Sequence, residues 1–100
     1  MKIGLYREIK SEEYRVGLSP AGAHEYVSHG HQVLVEGGAG VGSGFTDEDY
    51  QDQGCTILSK EEIAGEAEMI IKVKEPLPQE YQYFREGIIL YTYLHLAANP

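Results

Sequence analysis

Apolar residues come in short runs along this chain, and the polar stretches between them carry helix-start and helix-stop signals. Residues 2–7 (KIGLYR), 32–36 (QVLVE), 56–58 (TIL), 69–73 (MIIKV) and 88–94 (IILYTYL) predict strands. Ser19-Pro20 predicts a helix start, with a capping serine and proline at the first helical position, and Gly30 predicts its end. Thr46-Asp47-Glu48-Asp49 predicts a second helix, ended by Gly54, and Ser59-Lys60-Glu61-Glu62 is a capping box for a third. Pro76 and Pro78 then interrupt the chain, and residues 80–84 predict a helical turn. Strands alternating with helices at this spacing imply right-handed crossovers. The expected fold is an open α/β architecture, a mainly parallel sheet with helices on both faces, Rossmann-like or flavodoxin-like. Asn99-Pro100 pairs a cap with a first helical residue, so the chain stops where a helix would begin and is expected to be a fragment.

Composition narrows the partners. The 100 residues suit one small unit, and no repeat or linker-like tract divides them. Sixteen acidic residues against 8 Lys plus Arg give a formal net charge of -8, a field that repels nucleic acid and anionic lipid. Cys55 is the one cysteine and has no partner for an internal disulfide. The start at Met1 shows no basic leader, and no apolar run approaches the roughly 20 residues of a membrane-spanning helix. The expectation is a cytoplasmic protein that binds neither nucleic acid nor membrane.

The glycine-rich stretch 37–44 (GGAGVGSG) lies where phosphate-cradling loops occur, but its glycines never fall in a Gly-x-Gly-x-x-Gly spacing. The helix after it opens on Asp47, Glu48 and Asp49, which repel a phosphate, and the next strand ends in Ser59 rather than in a carboxylate for a ribose hydroxyl. No cofactor-binding residue is assigned there. The glycines are read as supplying positive φ and close backbone packing.

Ligands in open α/β sheets bind beyond the carboxyl ends of the strands. Three of those loops carry notable side chains: Arg15 after the first strand, Lys74 after the fourth and His95 after the last. A guanidinium grips a carboxylate through two donors, an ammonium polarises a carbonyl oxygen, and an imidazole moves protons near neutral pH, a set suited to a small 2-oxo or 2-amino acid. The competing reading leaves Arg15 and Lys74 as surface charges and His95 as a core residue. Lys72 shares a face with Lys74, but Lys74 is nearer the strand end and precedes Glu75-Pro76, so it is the preferred ligand. His29 and His31 flank a helix end rather than forming a metal pair, and no metal is assigned. Cys55 reads as a small buried apolar residue, and the pairs Glu12-Glu13 and Glu61-Glu62 as solvated or capping.

Four segments, IGLYREIKSEEYRVGLSPAG, GHQVLVEGGAGVGSGFTDEDY, IIKVKEPLPQEY and ILYTYLHLAANP, together resemble the N-terminal region of bacterial alanine dehydrogenases over essentially the whole chain. The wider family includes the alpha subunit of nicotinamide nucleotide transhydrogenase, which shares the RV-x-x-(S/T)-P and GAG patterns; KVKEP and TYLHLAA side with alanine dehydrogenase. The resemblance implies NAD-dependent oxidative deamination of L-alanine to pyruvate and ammonia by a two-domain subunit of a homohexamer. It makes Arg15 and Lys74 substrate-binding and His95 the proton-transfer residue. NAD, bound mainly by a later domain, and a catalytic aspartate lie outside this chain, which is then inactive by itself. Tyr6, Glu12 and Gly17 depart from the family's usual proline, asparagine and alanine, and none of them has a chemical role in that scheme. Two other readings stay open: a transhydrogenase-type domain that binds nucleotide and a partner subunit, and a non-catalytic assembly fragment.

Overall fold

The protein is described by a computed structural model over residues 1–9, 16–73, 76–84 and 87–92. Strands β1 (Lys2–Leu5), β2 (Gln32–Glu36), β3 (Thr56–Leu58), β4 (Met69–Lys72) and β5 (Ile89–Thr92) form one sheet in the order β3-β2-β1-β4-β5. All four neighbouring pairs are parallel, with Ile3 opposite Val33 on one side of β1 and Met69 on the other. Helices α1 (Pro20–Ser28), α2 (Asp47–Asp52) and α3 (Lys60–Glu66), with a 3₁₀ helix at Pro78–Tyr83, fill the crossovers. The fold class read from the sequence is the one observed.

Alternation along each strand divides the core in two. Val33 and Val35 pack with Leu5, Ala23 of α1 and Tyr50 of α2 on one face, while Leu34 packs with Tyr6, Ile70 and Ile63 of α3 on the other. Gly4 of β1 sits directly under α3. A Cβ there would lie 2.5 Å from Ile70 Cδ1 and 2.6 Å from Ile63 Cγ2, so the absent side chain is what lets α3 approach the sheet.

With only six and seven residues, α2 and α3 are too short to persist on propensity alone, and their caps matter accordingly. Thr46 and Asp49 exchange side-chain and backbone bonds of 3.1 and 2.8 Å, and Ser59 and Glu62 exchange two of 3.1 Å. Ser19 Oγ accepts the Gly22 N–H at 3.0 Å ahead of Pro20, as the sequence predicts for α1. Gly30 and Gly54 follow α1 and α2 with positive φ.

Several boundaries differ from the sequence reading: β4 stops at Lys72 rather than residue 73, β5 starts at Ile89 rather than residue 88, and two differences are larger or have a visible cause. The first strand ends at Leu5 rather than residue 7, because the Arg7 N–H donates to the Glu36 carboxylate at 2.7 Å instead of continuing a ladder. The expected turn at 80–84 starts earlier, at Pro78, whose fixed φ suits a first helical position. Of the last expected strand, residues 93 and 94 lie outside the described residues. The part described, β5, forms an edge of the sheet on which Ile89, Leu90 and Tyr91 are exposed.

Candidate functional site

The strand order fixes where a ligand crevice opens. Going outward from β1, the chain winds first through β2 and β3 and then, after α3, restarts on the opposite side with β4 and β5. The reversal lies between β1 and β4, and because every strand is parallel, the segments leaving them emerge at the same carboxyl edge. A cluster of charges is buried at that point. Lys72, the last residue of β4, places Nζ 3.2 Å from Glu8 Oε1 and 3.3 Å from Glu80 Oε2, with all three side chains nearly inaccessible.

Both carboxylates also hold backbone. Glu8 Oε2 accepts the Val73 N–H at 3.0 Å, and Glu80 Oε1 accepts the Leu77 N–H at 3.0 Å. Lys60, at the start of α3, extends the cluster by approaching Glu80 at 3.7 Å and Glu36 at 3.6 Å. Its ammonium stands 5.4 Å from the Tyr6 ring centre and 5.3 Å from that of Tyr83, within cation–π range. Tyr6, where the family usually has proline, is fully buried; it stacks edge-on to Phe84 and donates its hydroxyl proton to the Tyr83 carbonyl at 2.7 Å. Each of the two ammoniums therefore faces two carboxylates. Burial of this kind persists only when charges are paired and hydrogen-bonded, and among the described residues no buried side-chain nitrogen or oxygen lacks a partner. The arrangement holds loops; it does not present a reactive group.

Arg15, Lys74 and His95 themselves lie outside the described residues. The strands that precede them in the chain, β1, β4 and β5, are three adjacent strands pointing the same way. Of the two lysines of KVKEP only Lys72 lies among the described residues, and its ammonium donates to Glu8 and Glu80.

At the glycine loop the backbone donors face inward. The N–H of Gly38 donates to Asp47 Oδ1 at 2.9 Å, and those of Gly37, Ala39, Val41, Ser43, Gly44 and Phe45 donate to backbone carbonyls within or beside the loop. Phosphate-cradling loops turn such donors toward the ligand. A Cβ on Gly40 would come within 2.7 Å of Tyr50 Cε2 and 2.9 Å of Phe45 Cβ, so the loop is glycine-rich partly because it packs on a buried tyrosine. The donors of these seven residues are thus turned to the loop's own surroundings rather than outward to a phosphate.

The remaining candidates have local partners. His29 Nδ1 lies 2.7 Å from the Glu25 carbonyl oxygen, and His31 Nδ1 lies 3.2 Å from the Met1 amine. Among the described residues there is no group of three or more His, Cys, Asp or Glu placed to hold a metal ion, and no helix is long and apolar enough to cross a membrane. Cys55 is buried beside Tyr50, and burial pushes its thiol up to about 11, so it is a neutral packing group near pH 7.

Sequence reasoning missed Glu8, Glu80, Lys60 and Glu36 as one cluster. A signal was present: a lysine inside the apolar run MIIKV must be paired if the strand is buried. What it could not give was the partners, which come from segments 64 and 8 residues away.

Comparison with known proteins agrees with the geometry. The family model described as "Alanine dehydrogenase/PNT, N-terminal domain" matches residues 4–100. Alanine dehydrogenase of Staphylococcus haemolyticus (strain JCSC1435) is 60% identical over 97 residues, covering 97% of this chain and 26% of its own length. That of Bacillus subtilis (strain 168) is 55% identical over 100 residues, covering 100% and 26%. The chain thus spans about a quarter of the length of the curated relatives it matches. Among solved structures, an L-alanine dehydrogenase superposes with a TM-score of 0.89 at 47% identity, covering 99% of this chain and 27% of its own. A transhydrogenase from Sinorhizobium meliloti gives 0.90 at 28%, covering 99% and 28%. Backbone similarity does not separate the two activities, whereas sequence identity favours the dehydrogenases. The chain belongs to the alanine dehydrogenase/PNT N-terminal domain family.

Proposed function

We propose that this chain is the substrate-binding N-terminal part of an NAD-dependent L-alanine dehydrogenase, which interconverts L-alanine and pyruvate with ammonia. The observation that carries the reading is the placement of the strands. The loops bearing Arg15, Lys74 and His95 follow three adjacent parallel strands, two of which flank the point where the strand order reverses. In this reading Arg15 grips the substrate carboxylate, Lys74 holds the oxygen or nitrogen on the neighbouring carbon, and His95 moves a proton as the C–N bond forms or breaks. NAD is assigned to the polypeptide beyond this chain, since the glycine loop here spends its donors internally. Homohexameric assembly and a cytoplasmic location belong to the same proposal. Identity of 55–60% to alanine dehydrogenases, against 28% to the transhydrogenase, supports it over a transhydrogenase-type domain.

The test is a hybrid enzyme in which this chain replaces the matching quarter of Bacillus subtilis alanine dehydrogenase. The hybrid should aminate pyruvate with NADH, and Lys74→Ala should lower kcat/KM for pyruvate by about a hundredfold or more. A folded, assembled hybrid without that activity would sink the dehydrogenase reading, and an active hybrid indifferent to Lys74→Ala would remove Lys74 from the site.

A further inference from the structure

The net charge of -8 is unevenly placed over this fold. Glu25 of α1, the four acidic residues of α2 and the four between residues 61 and 68, set against Lys2, account for all of it. The rest balances. Segments 10–15, 74–75 and 85–86 each hold as many basic as acidic residues, and the six charged residues that remain gather where β1 and β4 end: Glu8, Glu36 and Glu80 with Lys60, Lys72 and Arg7. Three carboxylates face two enclosed ammoniums there, so the guanidinium of Arg7 is the charge that brings this edge to neutrality.

Arg7 differs from those lysines in how its charge is used. Lys60 and Lys72 each lie within 3.7 Å of two carboxylates. Arg7 is exposed between the buried Tyr6 and Glu8, and it reaches Glu36 through its backbone N–H at 2.7 Å. Among the described residues no carboxylate pairs with its guanidinium. The fold uses the Arg7 backbone and leaves the charge to solvent, at the edge where the strand order reverses and a ligand crevice opens.

We propose that Arg7 is a specificity-determining residue that acts through its field: it keeps this edge from repelling an anionic 2-oxo acid in a chain whose helices are strongly negative. The role rests on the function proposed above. Contact with the substrate is not required, because charges across a water-filled crevice interact over about 10 Å at 0.1 M salt. The two substrates differ in the property that a field acts on. Pyruvate carries one negative charge, whereas alanine near neutral pH is a zwitterion with no net charge. One unit charge at this range changes the local concentration of an anion by about two- to threefold.

The test is the pyruvate Kd of the hybrid enzyme with NADH bound and ammonium absent, read from NADH fluorescence in about 0.02 M and about 0.5 M salt. Arg7→Gln leaves the edge one charge negative, so Kd should rise about threefold in low salt and return toward the parent value in high salt, where the repulsion is screened. Arg7→Glu should raise it about tenfold with the same recovery, and Arg7→Lys, which restores the charge, should match the parent. The kcat/KM for L-alanine with saturating NAD should change by less than about 1.5-fold in all three, since the zwitterion feels little net force. A purely structural role would weaken both substrates alike and would not be relieved by salt. Either of those results, or a parent Kd for Arg7→Gln in low salt, overturns the proposal. A folded parent hybrid that neither binds pyruvate nor turns over alanine would instead sink the dehydrogenase reading beneath it, and that result appears before any variant is made.

Discussion

Two loops at the carboxyl edge of the sheet solve opposite problems. The glycine loop after β2 is conspicuous in sequence and closed in structure, with donors held by carbonyls within and beside it and by Asp47, and with its inner side filled by Tyr50. The junction after β1 and β4 is inconspicuous in sequence, yet it buries Glu8, Lys72 and Glu80 around one another. Glycine allows a chain to pack tightly with nothing left over. Buried charge, by contrast, is stable only in one arrangement, and so fixes the relative position of segments far apart in sequence. The less glycine-rich region is therefore the better candidate for the place where geometry matters to chemistry.

The comparison breaks if the junction proves dispensable. Lys72→Met leaves two buried carboxylates without their shared cation, so it should destabilise the protein by about 3–5 kcal/mol, read as a fall in the urea midpoint followed by circular dichroism. A loss below about 1 kcal/mol would mean that water or rearrangement satisfies Glu8 and Glu80. Gly40→Ala should cost less, about 1–3 kcal/mol, because Tyr50 and Phe45 must give way to the added methyl. In the hybrid enzyme it should leave the pyruvate KM untouched; a tenfold rise would make the glycine loop part of the substrate site and reverse the contrast.

The smallest expected effect is at alkaline pH, and it reports on the glycine-loop side alone. Burial raises the ionisation of both Cys55, to about 11, and Tyr50, whose own shift is enlarged further by Cys55, Asp47 and Asp49. Each group holds its proton more tightly folded than unfolded. The Cys55 contribution is therefore fully present below the unfolded thiol value of about 8.5 and is lost as pH rises toward 11, while that of Tyr50 begins to be lost only above about 10. The urea midpoint should decline across that window, and a midpoint that is level or rising there would show that neither group is sealed from water as Tyr50's zero exposure implies.

Local signals carried most of the fold into the sequence. Caps at Ser19, Thr46 and Ser59, glycines at 30 and 54 and the apolar strands act over a few residues, and each element appears where those signals put it. The early end of β1 was not legible, because it depends on Glu36 reaching Arg7 across 29 positions. The charged cluster was illegible for the same reason: residue type announces that Lys72 needs partners, and only the tertiary placement of Glu8 after β1 and of Glu80 in the 3₁₀ helix says which ones. Of the candidate site, the sequence yields Arg15, Lys74 and His95 as residues on strand-end loops, and the topology adds that β1, β4 and β5 are neighbours.

Gly4 links the interior of the sheet to that edge. With hydrogen as its side chain, it sets the thickness of the layer between β1 and α3, and α3 begins with the very lysine that reaches Glu36 and Glu80. The helix works as a rigid strut whose height is gauged at one end and whose ammonium arrives at the other. A methyl group added in mid-sheet would thus be felt as an electrostatic change at the rim, and the size of one core residue sets the tolerance of a distant charge.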